Sequence, residues 1–302
     1  MADYRALARR HPAVRDYLKH RRWVRRGDVV AYAPNLACDA FRTDPAGFRL
    51  SVHDGRDHGI AATLAAPRHA LVLGSSHVFG FGLASDAETL PSRLSERLEM
   101  PCANVSFPEA DTRTLHGVLT NILSRGTRPA VVVLLTGGDF TRHAFALTAD
   151  PVFGSPNVED ARPPPDGDAA RRMGAASLDA ALSASMLWTR AAVGLCRAHR
   201  VPVVLGGDRT FMEKPMPDEA EDSCGLGTAG GPSQLWRFDH QRRHGAAFYA
   251  ARRGLADELG VALAGPDPAT MTYIDEYHYR AEGIERFADA LSPALGDAMA
   301  GG

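Results

Sequence analysis

His69-Ala70-Leu71-Val72-Leu73-Gly74-Ser75-Ser76 is an apolar run that ends on a glycine and two serines. It has the length of one strand and no polar interruption, which suits a strand buried on both faces better than one with a wet side. Gly74 permits a tight turn, so that a side chain and the next backbone N–H groups point out from the end of a sheet. Ser76 is therefore a candidate nucleophile. Taken alone, the turn would serve equally well as a helix cap. His77 stands next to the serine in sequence, points elsewhere, and reads as a pocket-lining or capping group rather than a base.

Outward from this run the chain alternates apolar strands with longer amphipathic segments. Strands are expected at 69–73, 102–105, 130–135, 201–205 and 261–264, and helices at 88–98, 112–124, 178–199, 241–258 and 282–295. Such alternation implies crossover connections and a parallel sheet covered on both faces, an α/β doubly wound architecture. Ligands of such sheets lie outside the carboxyl ends of the strands. The Gly74-Ser75-Ser76 turn falls there.

Asp275-Glu276-Tyr277-His278 precedes the last helical segment. A spacing of three on one turn can set the carboxylate against imidazole Nδ1 and leave Nε2 free to meet a serine. Ser76 as nucleophile, His278 as base and Asp275 as orienting acid make the minimum set for acyl transfer. The G-x-S-x-G elbow of α/β-hydrolases is absent, since Val78 stands two residues after the serine.

These residues resemble the SGNH (GDSL-type) hydrolases over roughly 66–295. That family has a flavodoxin-like sheet, a serine after the first strand and a D-x-x-H pair before the last helix. Gly74-Ser75-Ser76 with Phe79-Gly80-Phe81-Gly82 is similar to its first block, with Ser75 where Asp is usual; Asp275 to His278, followed by Gly283, is similar to its last. Asn104-Val105-Ser106 and Thr136-Gly137-Gly138-Asp139 occupy the places of the second and third blocks. The resemblance implies an SGNH-like fold for a domain taken as 66–302, while residues 1–65 read by their own pattern as a helical and hairpin extension. It implies ester hydrolysis through an acyl-serine, with O-acyl transfer by the same triad, or a degenerate ligand- or partner-binding domain, as alternatives.

In the family the oxyanion hole combines the serine N–H, a glycine N–H from the second block and an asparagine amide from the third. Here the second block reads Ser106-Phe107-Pro108-Glu109-Ala110-Asp111, without glycine, and Asp139 stands where asparagine is expected. Ser106, Glu109, Gly138 and Asp139 are thus the oxyanion or substrate-binding candidates. An ionised Asp139 would oppose a developing alkoxide, so either it is held protonated, or another group substitutes, or turnover is slow. Thr136, Thr141, Arg142 and His143 are the nearby candidates for a substitute.

With 302 residues and a net charge of −2, the chain does not read as a nucleic-acid binder. Cys38, Cys102, Cys196 and Cys224 have no C-x-x-C spacing and read as buried structural thiols, with no metal site. No signal-like or membrane-length apolar stretch is present, so a cytoplasmic protein without membrane partners is expected. No cofactor is required, and the expected partner is a small-molecule or carrier-bound acyl ester. Arg5, Arg9, Arg10, Arg15, Arg21, Arg22, Arg25 and Arg26 crowd the N-terminus, where Tyr4, Leu7, His11, Val14 and Leu18 recur at helical spacing. They predict an appended helix that keeps its arginines wet. Residues 28–64 read as short hairpin-like strands.

Two stretches rich in Pro, Gly and Asp, 151–173 and 214–232, read as lids over the strand ends or as surface insertions. Gly225, Gly227 and Gly230 match a dinucleotide fingerprint in spacing only, with no strand before them. Phe211, Trp236 and Phe238 could line a pocket, but aromatics so placed are more often core.

Overall fold

The structure, a computed structural model, describes residues 4–20, 23–26, 29–108, 110–136, 139, 167–209, 211–215, 232–275 and 277–301. Its centre is a sheet of five parallel strands, β5 (Ala70–Gly74), β6 (Cys102–Ser106), β7 (Val131–Leu134), β8 (Val203–Gly206) and β9 (Leu263–Ala264). Their order is β6-β5-β7-β8-β9, which is the doubly wound, flavodoxin-like arrangement 2-1-3-4-5. Order reverses after β5, so the crevice such a reversal opens lies at the carboxyl end of that strand.

The continuous apolar runs follow from burial on both faces. Ala70 and Val72 of β5 and Val131 and Val133 of β7 pack with Leu90 and Leu94 of α5 (Leu90–Leu98) and Phe287, Leu291 and Leu295 of α9 (Ala281–Gly301). The alternate residues Leu71, Leu73, Val132 and Leu134 face the other way. They meet Leu115, Leu119 and Leu123 of α6 (Thr112–Leu123) and Ala192, Val193 and Cys196 of α7 (Gly167–Ala198). A strand's period of two thus feeds two apolar cores at once.

Several boundaries differ from the sequence expectations. The N-terminal helix is two helices, α1 (Tyr4–Arg10) and α2 (Pro12–Lys19). Pro12 has no N–H and biases the residue before it away from helical dihedrals; His11 is extended, at φ −118° and ψ 90°. Leu7 and Val14 are buried as the stripe predicts, together with Tyr17, which it did not include. Helix α7 starts at Gly167, so 167–173 belong to a helix and not to the expected loop, of which 151–166 lie outside the described residues. Helix α8 (Pro232–Leu259) starts nine residues before Gln241 and includes Trp236 and Phe238, whose side chains lie outside the description. Residues 216–231, with Cys224 and the three glycines, also lie outside it. Phe211 is core, edge-on to Tyr273 at 5.8 Å. Among the described residues no helix is long and apolar enough to cross a membrane.

The first 65 residues build two antiparallel pairs, β1 (Trp23–Arg26) with β2 (Val29–Tyr32) and β3 (Ser51–His53) with β4 (Arg56–His58), then α3 (Ile60–Ala65). They share a third core with the sheet domain, in which Leu7, Val14, Tyr17, Tyr32 and Phe41 enclose Phe79, Phe81 and Ile274. At its centre the side chain of Arg49 is wholly buried. Its Nε donates to Asp86 (2.8 Å), Nη1 to the carbonyls of Phe79 (2.9 Å) and Gly80 (2.8 Å), and Nη2 to those of Ala40 and Ser85 (2.9 Å each). A planar guanidinium can serve so many acceptors because its five N–H groups fan out in fixed directions.

Removing that fan leaves buried acceptors with nothing to replace it. Arg49→Met is expected to lower the unfolding free energy by about 3–5 kcal/mol, read from urea denaturation; a midpoint unchanged from wild type would contradict the role given to Arg49.

Candidate active site

Strand β5 delivers its chain to the rim through Gly74, where an added Cβ would lie 2.3 Å from Val78 Cγ2. That close approach lets α4 (Ser76–Phe79) turn back over the strand end. Gly80 then caps α4 in the left-handed region, at φ 86°. Ser76 is the first residue of this helix, where amides lack intrahelical acceptors.

At the far end of the chain, Tyr273 and Tyr279 form an antiparallel bridge, and the Ile274 amide donates to the His278 carbonyl at 2.7 Å. The bridge brings Asp275, Tyr277 and His278 close together. Asp275 is buried, and one carboxylate oxygen accepts from the amides of Tyr277 and His278, both at 2.9 Å. His278 Nδ1 lies 2.7 and 2.8 Å from the two carboxylate oxygens, and His278 Nε2 lies 2.8 Å from Ser76 Oγ. Burial alone would push the Asp275 carboxyl up. The adjoining His278 ring, by charge and by hydrogen bond, and the two amides outweigh it, so the carboxyl sits below its ordinary range.

A second polar group sits behind the serine. Ser75 Oγ is 2.9 Å from His77 Nδ1, and His77 Nε2 is 3.6 Å from Asp208 of the segment after β8. Asp208 also accepts from the Thr136 amide (3.1 Å) and hydroxyl, so Thr136 is committed at the end of β7. Burial lowers the His77 ring to about 4, which leaves it neutral beside His278. Arg252, reaching in from α8, donates to the carbonyls of Gly206 (3.1 Å) and Leu134 and ties the ends of β8 and β7. No local pattern marked Asp208 or Arg252; an aspartate two residues past a buried strand was the available signal for the first.

The four oxyanion candidates fare differently. The Ser106 hydroxyl donates to Asn104 Oδ1, and Asn104 Nδ2 donates to the Val78 carbonyl (3.3 Å), which holds β6 against α4. Asp139 is buried, and its carboxylate accepts from the amide (3.0 Å) and hydroxyl (2.5 Å) of Thr112 at the start of α6. Glu109 and Gly138 lie outside the described residues, as do Thr141, Arg142 and His143. Among the described residues no group of three or more His, Cys, Asp or Glu side chains could hold a metal ion.

No protein-family model matches the chain, and no curated protein matches it. Solved structures do. An extracellular lipase from Streptomyces rimosus aligns with 77% of this chain and 100% of its own at 15% identity and a TM-score of 0.49. Phospholipase A1 from Streptomyces albidoflavus aligns over 76% and 98%, at 13% identity and 0.49. Axe2, an acetylxylan esterase from Geobacillus stearothermophilus, aligns over 78% and 96%, at 14% identity and 0.46. Likeness at this level says nothing of what the present chain acts on.

Asp139 gives the site a testable signature. Burial raises its carboxyl from 3.8 to about 6 against the opposing hydrogen bonds from Thr112. A raised value means the folded chain keeps a proton that the unfolded chain has lost. The associated stability is complete below about pH 4 and is lost as pH rises through about 6. Asp139→Asn, whose amide oxygen can accept the same bonds, should therefore be more stable than wild type by roughly 1–3 kcal/mol at pH 8, with the gain vanishing near pH 4. Thermal or urea unfolding across that range checks it, and a pH-independent difference would contradict the assignment.

Proposed function

We propose that the chain is a serine hydrolase of the SGNH kind that cleaves acyl esters, small or carrier-borne, through an acyl-serine. The observation that carries this reading is the continuous array from Asp275 through His278 to Ser76, with all contacts between 2.7 and 2.8 Å. A carboxylate within hydrogen-bond distance of one imidazole nitrogen, with a serine hydroxyl at the same distance from the other, is the arrangement that raises the nucleophilicity of the hydroxyl. The doubly wound sheet and the block resemblance support the same reading.

In the proposed reaction Ser76 Oγ attacks the ester carbonyl while His278 Nε2 takes its proton. Asp275 fixes the tautomer with hydrogen on Nδ1 and stabilises the imidazolium that forms. The charge developing on the carbonyl oxygen is met by the Ser76 amide at the start of α4, a donor that no change of side chain removes. His278 then returns the proton to the leaving alcohol, and water, activated by the same imidazole, attacks the acyl-serine. Asp139 is turned to Thr112; with its carboxyl at about 6 it is ionised at neutral pH, and the Thr112 amide and hydroxyl donate to it.

Hydrolysis of p-nitrophenyl acetate tests the proposal. Ser76→Ala should lower kcat by about 10⁴-fold or more, and Asp275→Asn by a loss on the order of 10⁴-fold through the wrong tautomer. Turnover by Ser76→Ala at the wild-type rate would refute it.

A further inference from the structure

His278 is held on two sides. Asp275 holds the edge of the imidazole; its face lies against Phe81, with ring centroids 4.5 Å apart and planes at 41°. Phe81 follows the Gly80 cap of α4, so the segment that carries Ser76 also carries the shelf under the His278 ring. The N-terminal extension clamps that segment. The Tyr17 hydroxyl, from α2, donates to the Gly80 carbonyl at 2.6 Å, and the Tyr17 ring lies 5.1 Å from Phe81. Arg49 Nη1 donates to the Tyr17 hydroxyl and to the carbonyls of Phe79 and Gly80.

The packing leaves little room for adjustment. Gly80 has φ +86°, and an added Cβ would lie 2.9 Å from Arg49 Nη1. Gly82 has φ +81°, and there a Cβ would lie 2.6 Å from Ile274 Cδ1, in the residue before Asp275, and 3.2 Å from Val14 Cγ2 of α2. Three segments distant in sequence, α2, the turn after α4 and the Asp275 turn, are thus locked against one another.

We infer that Phe81 and Tyr17 are positioning residues for the base: the Phe81 ring sets the tilt of the His278 imidazole toward Ser76, and Tyr17 fixes Phe81. The inference rests on the reading of Ser76 and His278 as nucleophile and base, and it makes the N-terminal extension part of the reacting apparatus. An error of about 1 Å in such an alignment costs on the order of 10²-fold in rate.

The test uses the full chain with Phe81→Leu, which keeps apolar volume and loses the ring, Phe81→Tyr, which keeps the ring, and Tyr17→Phe, which keeps the aromatic contacts and loses the hydroxyl. Two readouts are taken: kcat and KM on p-nitrophenyl acetate, and the low-field Nδ1–H resonance of His278 in ¹⁵N-histidine-labelled protein. Phe81→Leu should lower kcat about 10²-fold with KM within about twofold, and shift or broaden the resonance. Phe81→Tyr should retain both, and Tyr17→Phe should fall between. If Phe81→Leu does not fold, Tyr17→Phe decides alone. A wild-type kcat with an unmoved resonance in Phe81→Leu, or in Tyr17→Phe where that variant decides, would overturn the inference, as would a loss confined to KM. A chain with no esterase activity whose resonance still responds to Phe81→Leu would remove the hydrolase reading and uphold the positioning role.

Discussion

Ser76 and His278 are 202 positions apart in the chain and 2.8 Å apart in the fold. A parallel sheet makes such a meeting possible, because every strand ends at the same rim and whatever follows a strand is delivered there. The register of β5 against β6 and β7 fixes how far Gly74 projects, and α9 packing under the sheet through Phe287 and Leu291 fixes the turn before it. Neither end of the contact is adjustable without disturbing a core. The N-terminal extension adds a third constraint, since its aromatic cluster grips Phe79 and Phe81 on one side of the contact and Ile274 on the other.

Gathering polar groups at a buried rim raises an electrostatic problem, and the rim solves it by pairing. Asp275 has His278 and two amides; Asp208 has Thr136 and faces His77; Asp139 has Thr112. Ser75, His77 and Asp208 repeat the residue types of Ser76, His278 and Asp275, yet the two sets differ in their physics. The His77 ring, its side chain 11% exposed, is pushed down to about 4 by burial, so it stays neutral and adds no positive charge beside His278. With Arg252 tying the ends of β7 and β8, this second set is scaffold behind the first.

The sheet was legible because burial on both faces writes strands as unbroken apolar runs, and β5 to β9 fall within a residue or two of where those runs stand. The D-x-x-H turn was legible because its geometry is local. What escaped was non-local or unpatterned. Residues 167–177 at the start of α7 are mostly alanine, glycine and arginine without an apolar stripe, so no period announced a helix there. Arg49 looks like any basic residue until the carbonyls of Phe79, Gly80, Ala40 and Ser85 converge on it. The partner of Asp139 is Thr112, 27 positions earlier, and only the approach of α6 to the end of β7 makes that pair.

The central claim is that Ser76 is the activated hydroxyl. Reaction with a fluorophosphonate, followed by mass spectrometry of the digested protein, tests it most directly. The account predicts one adduct, on Ser76, that disappears in His278→Gln. An unlabelled chain, or an adduct on Ser75 in place of Ser76, would contradict it.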